Sequence, residues 1–224
     1  MRKLLRPYTA AVLVALLLQS PLFAYDTELS DTALREAYFL GQRNDAKTRD
    51  FFAPYTKNLP LPKKGPYVSE IRLLTPLAQV VQISSQTTSG YSAQQARLDY
   101  QNRGDSILLV VHIQLTATYG QIDADNSAKD AAGKSKGGLT LRREDFWQDF
   151  HYGLKQKEEW IEPRSMRGEP EYGGADSYQG GGLVGAWVYI EYDAHNVQSD
   201  AAEVHVITIP DQEVSAIFDL AKLR

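Results

Sequence analysis

The chain has 224 residues, with 24 Lys and Arg against 28 Asp and Glu, and it contains no cysteine. This composition excludes a multi-span membrane protein, a disordered chain and a disulfide-stabilised scaffold, and it is typical of an ordinary globular protein. The net charge of −4 also disfavours binding to nucleic acid phosphates and to anionic lipid, because like charges repel.

The N-terminus has the pattern of a secretory signal peptide. Three basic residues precede an apolar run over residues 10–18, and Ala24 is a small residue before the expected cleavage point. The run is too short to cross a bilayer as a helix, which takes about 20 residues. We therefore predict cleavage near Ala24 and an extracytoplasmic location, either periplasmic or secreted. An uncleaved N-terminal anchor is the alternative. Residues 1–24 hold three basic and no acidic residues, so the mature chain would carry a net charge of −7.

Residues 25–56 are predicted to form a helical arm. Ser30 can cap a first helix, and the apolar residues after it are spaced along one helical face. Residues 43–45 indicate a break, and a second short helix is expected over residues 47–55. Four closely spaced prolines then favour an extended connector, which we place at residues 57–66 as a domain boundary.

Residues 67–224 are predicted to form a mainly β domain with two early helices. A hydroxyl cap followed by proline at Thr75 and a capping box at Ser92 predict helices near residues 76–84 and 92–103. The hydrophobic period elsewhere is two, which indicates strands. The expected strands are Tyr67–Leu74, Ile107–Leu115, Phe146–Leu154, Leu183–Tyr192, Glu203–Ile209 and Val214–Leu220, with a hairpin turn over residues 210–212.

This order of elements predicts an α+β fold. An N-terminal helical segment would be followed by a mainly antiparallel β-sandwich of immunoglobulin-like form with short inserted helices. Strands and long helices do not alternate, which argues against a doubly wound sheet. Residues 120–138 are expected to be a mobile hairpin excursion, and residues 168–182, which hold six of the 16 glycines, are expected to be a loop.

Two nucleotide-binding motifs match in sequence but not in context. Residues 128–135 resemble a relaxed phosphate-binding loop, and residues 180–185 fit the spacing of a dinucleotide-binding glycine motif. Both motifs work by placing phosphate at a helix N-terminus, yet each is followed here by a strand-like segment. We therefore expect no cofactor.

Asp123 and Asp125 are the candidate metal ligands. Asp123 and Asp125 begin like a calcium loop, but an alanine stands where the sharp turn of such a loop needs glycine. None of the four histidines has a zinc-like spacing with another ligand-type residue. His112, His151 and His205 would form a metal or acid–base cluster only if neighbouring strands brought them together.

Asp149, His151 and Glu159 are the candidates for catalysis. Paired carboxylates cleave glycosidic bonds, and a histidine can transfer protons at neutral pH. Such groups must all lie within hydrogen-bond reach of one substrate. A cell-wall or glycan hydrolase is therefore one interpretation of the sequence.

The aromatic residues are concentrated in one stretch. Ten of the 23 lie between Phe146 and Tyr192, including all three tryptophans. Exposed aromatic rings on a sheet can hold sugars or partner chains, whereas packing within the core is the alternative. The candidate binding residues are Trp147, Trp160, Tyr172, Tyr178, Trp187 and Tyr189.

The sequence as a whole favours an exported, non-enzymatic binding or assembly module of the bacterial cell envelope. Every catalytic motif fails in its context, and the aromatic and glycine-rich stretch offers a surface for a protein or glycan partner. The helical arm over residues 25–56 is a second element that could dock. The alternatives are the hydrolase described above and a carbohydrate-binding module. We expect no nucleic acid partner and no transmembrane span after signal cleavage.

Overall fold

The computed structural model describes residues 27–87, 90–120, 122–125, 138–174, 181–209 and 212–224. The predicted signal peptide and its cleavage point at Ala24 lie outside these ranges, as does Tyr178, so the predictions for them stay predictions. Across the described ranges, no helix is both long enough and apolar enough to cross a lipid bilayer.

Four α-helices lie in the described part of the chain: α1 (Asp31–Arg43), α2 (Ala46–Phe52), α3 (Pro76–Gln86) and α4 (Ala93–Arg103). The side chains of Ser30, Thr75 and Ser92 accept hydrogen bonds of 3.1 to 3.3 Å from the third backbone N–H that follows each. These bonds satisfy N–H groups that the first helical turn leaves without a partner. The helix starts predicted at these three residues are therefore confirmed.

The predicted break between the first two helices is also confirmed. Asn44 has a φ of 44°, in the left-handed region where α-helices end. The Asp45 side chain then accepts a hydrogen bond of 2.9 Å from the backbone N–H of Lys47 and so caps α2. One asparagine and one aspartate thus end one helix and begin the next.

The strands, in chain order, are β1 (Thr56–Asn58), β2 (Tyr67–Leu74), β3 (Ser106–Gln114), β4 (Ile122–Asp125), β5 (Gly138–Leu141), β6 (His151–Gln156), β7 (Glu159–Ile161), β8 (Ser165–Tyr172), β9 (Leu183–Asp193), β10 (Ala201–Thr208) and β11 (Gln212–Asp219). The larger sheet has the order β1-β2-β3-β9-β8, and the smaller sheet has the order β11-β10-β6-β7. All pairs are antiparallel, and neither sheet closes on itself. The predicted α+β class is confirmed, whereas the immunoglobulin-like form stays a prediction.

One apolar core joins the inner faces of the two sheets. Alternate residues of β3, such as Leu109 and Val111, are fully buried there, as the hydrophobic period of two predicts. The smaller sheet contributes Val204 and Phe218 to the same core. The sheets therefore leave their outer faces for helices or solvent.

The helical arm does not stand apart from the rest of the chain. Helices α1, α3 and α4 share a second apolar cluster, in which Leu34 and Val81 are buried. Gly41 marks the closest approach of α1 to α3, because a Cβ there would lie 2.6 Å from Cβ of Ser84 and would overlap the carbonyl oxygen of Val81. The arm thus packs on a helix of the following segment, and the domain boundary at 57–66 stays a prediction.

The strand predicted over Phe146–Leu154 is only half correct. Residues Phe146–Asp149 form a 3₁₀ turn, and strand β6 begins at His151. Phe146 and Trp147 are adjacent and both buried in the same core. A strand would direct them to opposite faces of the sheet, whereas the 3₁₀ turn directs both rings into the same core.

The loop predicted over residues 168–182 is also wrong in its first part. Gly168–Tyr172 belongs to β8, which pairs along β9. This strand position is a glycine because a Cβ on residue 168 would come within 2.6 Å of Cζ2 of Trp147. The glycine makes room for a core tryptophan and does not mark a loop.

We expect Gly41→Ala to lower the free energy of unfolding by about 1–3 kcal/mol, as overpacked sites do. At an open helical position the same substitution would raise the free energy of unfolding by about 1 kcal/mol. A decrease therefore indicates that the added methyl group collides with α3. Urea unfolding measures it. Gly174→Ala is the control, because nothing lies within 4 Å of a Cβ there. Equal stability of the two variants would contradict the tight packing of α1 on α3.

Candidate functional site

Trp147, a candidate binding residue, is buried. Only 7% of the residue is exposed, and its ring packs over Gly168 in the core between the sheets. The backbone carbonyl of Trp147 also accepts a hydrogen bond of 2.8 Å from the Tyr152 hydroxyl. Trp147 is therefore part of the core, and its assignment to a binding surface is corrected.

The three predicted catalytic residues are not brought together. Asp149 pairs with Arg143, at 3.1 Å between Oδ1 and Nη2, and His151 begins strand β6. Glu159 lies opposite Gln156 at the other end of β6. Five residues of strand separate those ends by about 16 Å, since each residue rises about 3.3 Å. Cross-strand partners share a sheet face, and His151 and Gln156 face opposite ways, so Glu159 also lies on the other face from His151.

The predicted calcium ligands, Asp123 and Asp125, lie on strand β4. Among the residues that the structure describes, no group of three or more His, Asp or Glu side chains is arranged to hold a metal ion. The metal assignment stays a prediction.

Trp160 lies on the outer face of the smaller sheet, which we call the Trp160 face. This face is formed by the outward side chains of four strands, namely His151, Lys155, Trp160, Glu203, His205, Ile207, Glu213, Ser215 and Ile217. Trp160 is 57% exposed. Its ring covers Gly153, where a Cβ would lie 2.8 Å from Cε3 of the indole. Because that position has no side chain, the ring lies against the sheet and its other side faces solvent.

Charged groups surround the Trp160 ring. The His205 ring meets it edge-on, with 5.1 Å between ring centroids. His205 lies between two carboxylates, with Nδ1 2.6 Å from Oε1 of Glu213 and Nε2 3.4 Å from Oε2 of Glu203. The Lys155 ammonium lies 5.9 Å from the centroid of the indole. Its hydrogen bond to Glu158 raises the pKa of Lys155.

Trp187 and Tyr189 lie on the outer face of the larger sheet, which we call the polar face. It is formed by Glu70, Arg72, His112, Arg167, Glu169, Glu171, Trp187 and Tyr189, with Ser69 at its margin. The rings of His112 and Trp187 are parallel, 3.9 Å apart and inclined by 1°. The Arg167 guanidinium lies 4.0 Å from the Tyr189 centroid, and burial raises the pKa of Tyr189. Both predicted aromatic residues are therefore half-buried and already hold ring or cation partners.

His112 is the centre of a hydrogen-bonded relay on this face. Its Nε2 lies 2.8 Å from Oε2 of Glu171, and its Nδ1 lies 2.9 Å from Oγ of Ser69. An ionised carboxylate can only accept a hydrogen bond, so Nε2 donates to Glu171. In the neutral imidazole, Nδ1 then accepts from the Ser69 hydroxyl, which also lies 3.3 Å from the His112 carbonyl oxygen. The arrangement is carboxylate, imidazole and hydroxyl in a row.

The strand pairing explains how the relay residues meet. Ser69 lies beside His112 at an irregularity in the pairing of β2 with β3. On the other side, His112 is the direct cross-strand partner of Trp187 on β9, and β8, which carries Glu171, pairs with β9. Gly185 leaves room for Glu171, whose Oε2 would lie 3.1 Å from a Cβ at that position. Sequence reasoning missed Ser69 and Glu171 because they lie 43 and 59 residues from His112. Only the strand register could have indicated them.

Tyr172 lies away from the Trp160 face, near the end of β8 in the larger sheet, and is 49% exposed. A hydrogen bond with Glu144 raises the pKa of Tyr172. The predicted aromatic surface is therefore divided among the core, the two outer sheet faces and this strand end.

Comparison with known proteins assigns no family. No protein-family model matches the chain, and a search of curated proteins gives no match either. The function must therefore be argued from the site itself.

We expect Glu171→Ala to lower the free energy of unfolding by about 1–3 kcal/mol, because it leaves a buried imidazole N–H without its acceptor. Glu169→Ala is the matched control on the same strand. Glu169 pairs with Arg167 at the surface, and loss of such a pair costs about 0–1 kcal/mol. Urea unfolding of both variants measures the difference. A Glu171→Ala protein as stable as the control would contradict the relay.

Proposed function

We propose that this protein is an exported binding module of the cell envelope that holds a glycan on the Trp160 face. The observation that carries the proposal is a tryptophan that lies flat on a sheet while 57% of it is exposed. Burying such a ring is favourable, so its exposure costs stability in the free protein. The apolar C–H face of a sugar ring would cover it.

The neighbours of Trp160 supply the polar contacts that a sugar needs. Glu203 and Glu213 can accept hydrogen bonds from hydroxyl groups, and Lys155 can donate to them. Binding sites for small ligands combine aromatic surface with a few fixed polar groups in this way. The His205 ring lies between the two carboxylates, with Nδ1 2.6 Å from Glu213, so the three side chains are grouped before a ligand arrives.

The distribution of apolar groups favours a glycan over a protein partner. Ile217, 62% exposed, lies in the same cross-strand row as Trp160, but Lys155 and Glu203 lie between them. The centre of a protein interface is depleted in charged residues, and this row has its charges at the centre. The location is supported by the signal-peptide pattern of residues 1–24.

We expect Trp160→Ala to weaken glycan binding by about tenfold or more, which corresponds to about 1.4 kcal/mol. Binding of the full chain to a glycan array and to insoluble cell-wall polysaccharide measures the effect. Trp160→Phe should retain part of the affinity, because it keeps an aromatic face. Tyr172→Ala, an exposed aromatic residue on the other sheet, is the control and should bind as the parent protein does.

Gly153→Ala tests the orientation of the ring separately. A methyl group at that position would displace the indole from the sheet without removing it. We expect a shift of tryptophan fluorescence together with weaker binding. The proposal is wrong if the parent protein binds no glycan, or if Trp160→Ala binds as tightly as Tyr172→Ala.

A second candidate function, hydrolysis of acyl esters, is favoured by the relay at His112. In such a reaction the Ser69 oxygen would attack the acyl carbon while its proton passes to Nδ1 of His112. The leaving alcohol would take that proton, and water would then release the acid and restore the serine. Glu171 would hold the imidazole in the required tautomer.

We expect a fluorophosphonate probe to label Ser69 if this second function is present, since activated serines displace fluoride from phosphorus. Intact mass and peptide mapping locate the label. Labelling should be lost in Ser69→Ala and in His112→Ala, and retained in Ser165→Ala, an exposed serine whose hydroxyl donates to the Glu191 carboxylate. A parent protein that stays unlabelled would leave the relay a structural feature and exclude this function.

A further inference from the structure

A cleft of about 640 Å³ lies between α2, β1, β2 and α3, at the edge of the larger sheet. A helix normally packs on a sheet through apolar side chains. Here α3 turns Gln82, Ser85 and Gln86 toward the cleft, at the spacing that places three residues on one helical face. The helix thus lines this cleft with amide and hydroxyl groups.

The strands complete the lining with polar, charged and apolar side chains. Thr56 and Asn58 of β1 face the cleft, and Glu70, Arg72 and Leu74 of β2 face it at alternate positions. Nε of Arg72 lies 2.5 Å from Oε1 of Glu70, so these two charges offset each other. The cleft volume falls in the range of about 300–1,000 Å³ that is usual for small-molecule sites.

Arg49 of α2 gives the cleft an unbalanced positive charge. Its side chain is exposed at the rim, and within the described ranges it has no ion-pair or hydrogen-bond partner. Phe52, on the same helix, adds aromatic surface beside it. The charged groups of the lining therefore sum to one positive charge, in a chain whose net charge is −4.

We propose that this cleft binds a small, hydroxyl-rich carboxylate of the uronic acid class. The carboxylate pairs with Arg49, because a guanidinium can bind it through two parallel hydrogen bonds. The hydroxyl groups bond to Gln82, Gln86 and Asn58, and the apolar side of the ring packs on Phe52. The site lies on the larger sheet and does not rest on the function proposed for the Trp160 face.

Calorimetric titration of the full chain with sodium glucuronate tests the proposal. We expect saturable binding, with glucose and acetate each at least about tenfold weaker, because glucose lacks the carboxylate and acetate lacks the hydroxyl groups. Glucose or acetate binding as tightly as glucuronate would overturn the assignment of the ligand class.

Two variants and two controls locate the site. Arg49→Gln should weaken glucuronate binding by at least about tenfold, whereas Lys47→Gln makes the same charge change on α2 away from the lining. Gln86→Trp replaces an exposed residue with a ring that fills the cleft, so it should abolish binding while the thermal unfolding temperature stays near that of the parent. Trp160→Ala should leave glucuronate binding unchanged. Absence of saturable binding, or binding unaffected by Arg49→Gln and Gln86→Trp, would overturn the proposal.

Discussion

The position of α3 determines how the outer face of the larger sheet is divided between packing and function. A buried glutamine fixes it: Nε2 of Gln79 donates to the Ser106 carbonyl at 2.7 Å, and its Oε1 accepts from Nη1 of Arg103 at 3.1 Å. A buried amide is costly unless its hydrogen bonds are made, so this side chain holds α3, β3 and α4 in one arrangement. The helix then lies over the sheet near Leu74 and Leu108, whereas the half-buried Trp187 ring stacks on His112 farther along the strands. The cleft beside Arg72 and the polar face both result from this partial cover.

Two tryptophan rings each pack over a glycine of a sheet, one in the core and one at the surface. Trp147 packs over Gly168 on the inner side of the larger sheet, whereas Trp160 packs over Gly153 on the outer side of the smaller sheet. Each glycine removes a Cβ that would collide with the indole. The same local contact therefore produces a core residue in one case and a binding surface in the other, and the difference lies only in which side of the sheet the glycine faces.

Local signals predicted the elements well because they act within a few residues. The caps at Ser30, Thr75 and Ser92 depend on one side chain and one nearby N–H, and the period of two in Ile107–Leu115 depends on alternation alone. The 3₁₀ turn at Phe146–Asp149 escaped prediction because adjacent aromatic residues fit the composition of a strand. The buried residues Phe146 and Trp147 of the turn and Phe150 just after it are spaced i, i+1 and i+4, a helical spacing that was present in the sequence.

The sites depend on pairing between distant strands, which the sequence does not display. The composition of residues 146–192 indicated many aromatic residues but could not divide them between two sheets, a core and a strand end. The relay needs β2, β3 and β8 in one register, and a shift of one residue would turn His112 into the core. Asp149, His151 and Glu159 are close in sequence but far apart in the structure. His151 and Glu159 lie at opposite ends of β6 and on opposite faces of the sheet.

The architecture separates the two proposed sites. The inner faces of both sheets are used in the common core, so the Trp160 face and the cleft at Arg49 lie on opposite outer sides of the molecule. A polymer held at Trp160 would leave the cleft open to a small solute. The charges agree with this separation, since Glu203 and Glu213 would repel a carboxylate at the first site while Arg49 attracts it at the second. Among the described residues Arg49 has no acidic partner, so a carboxylate bound in this polar cleft would gain an ion pair that no acidic side chain there already makes.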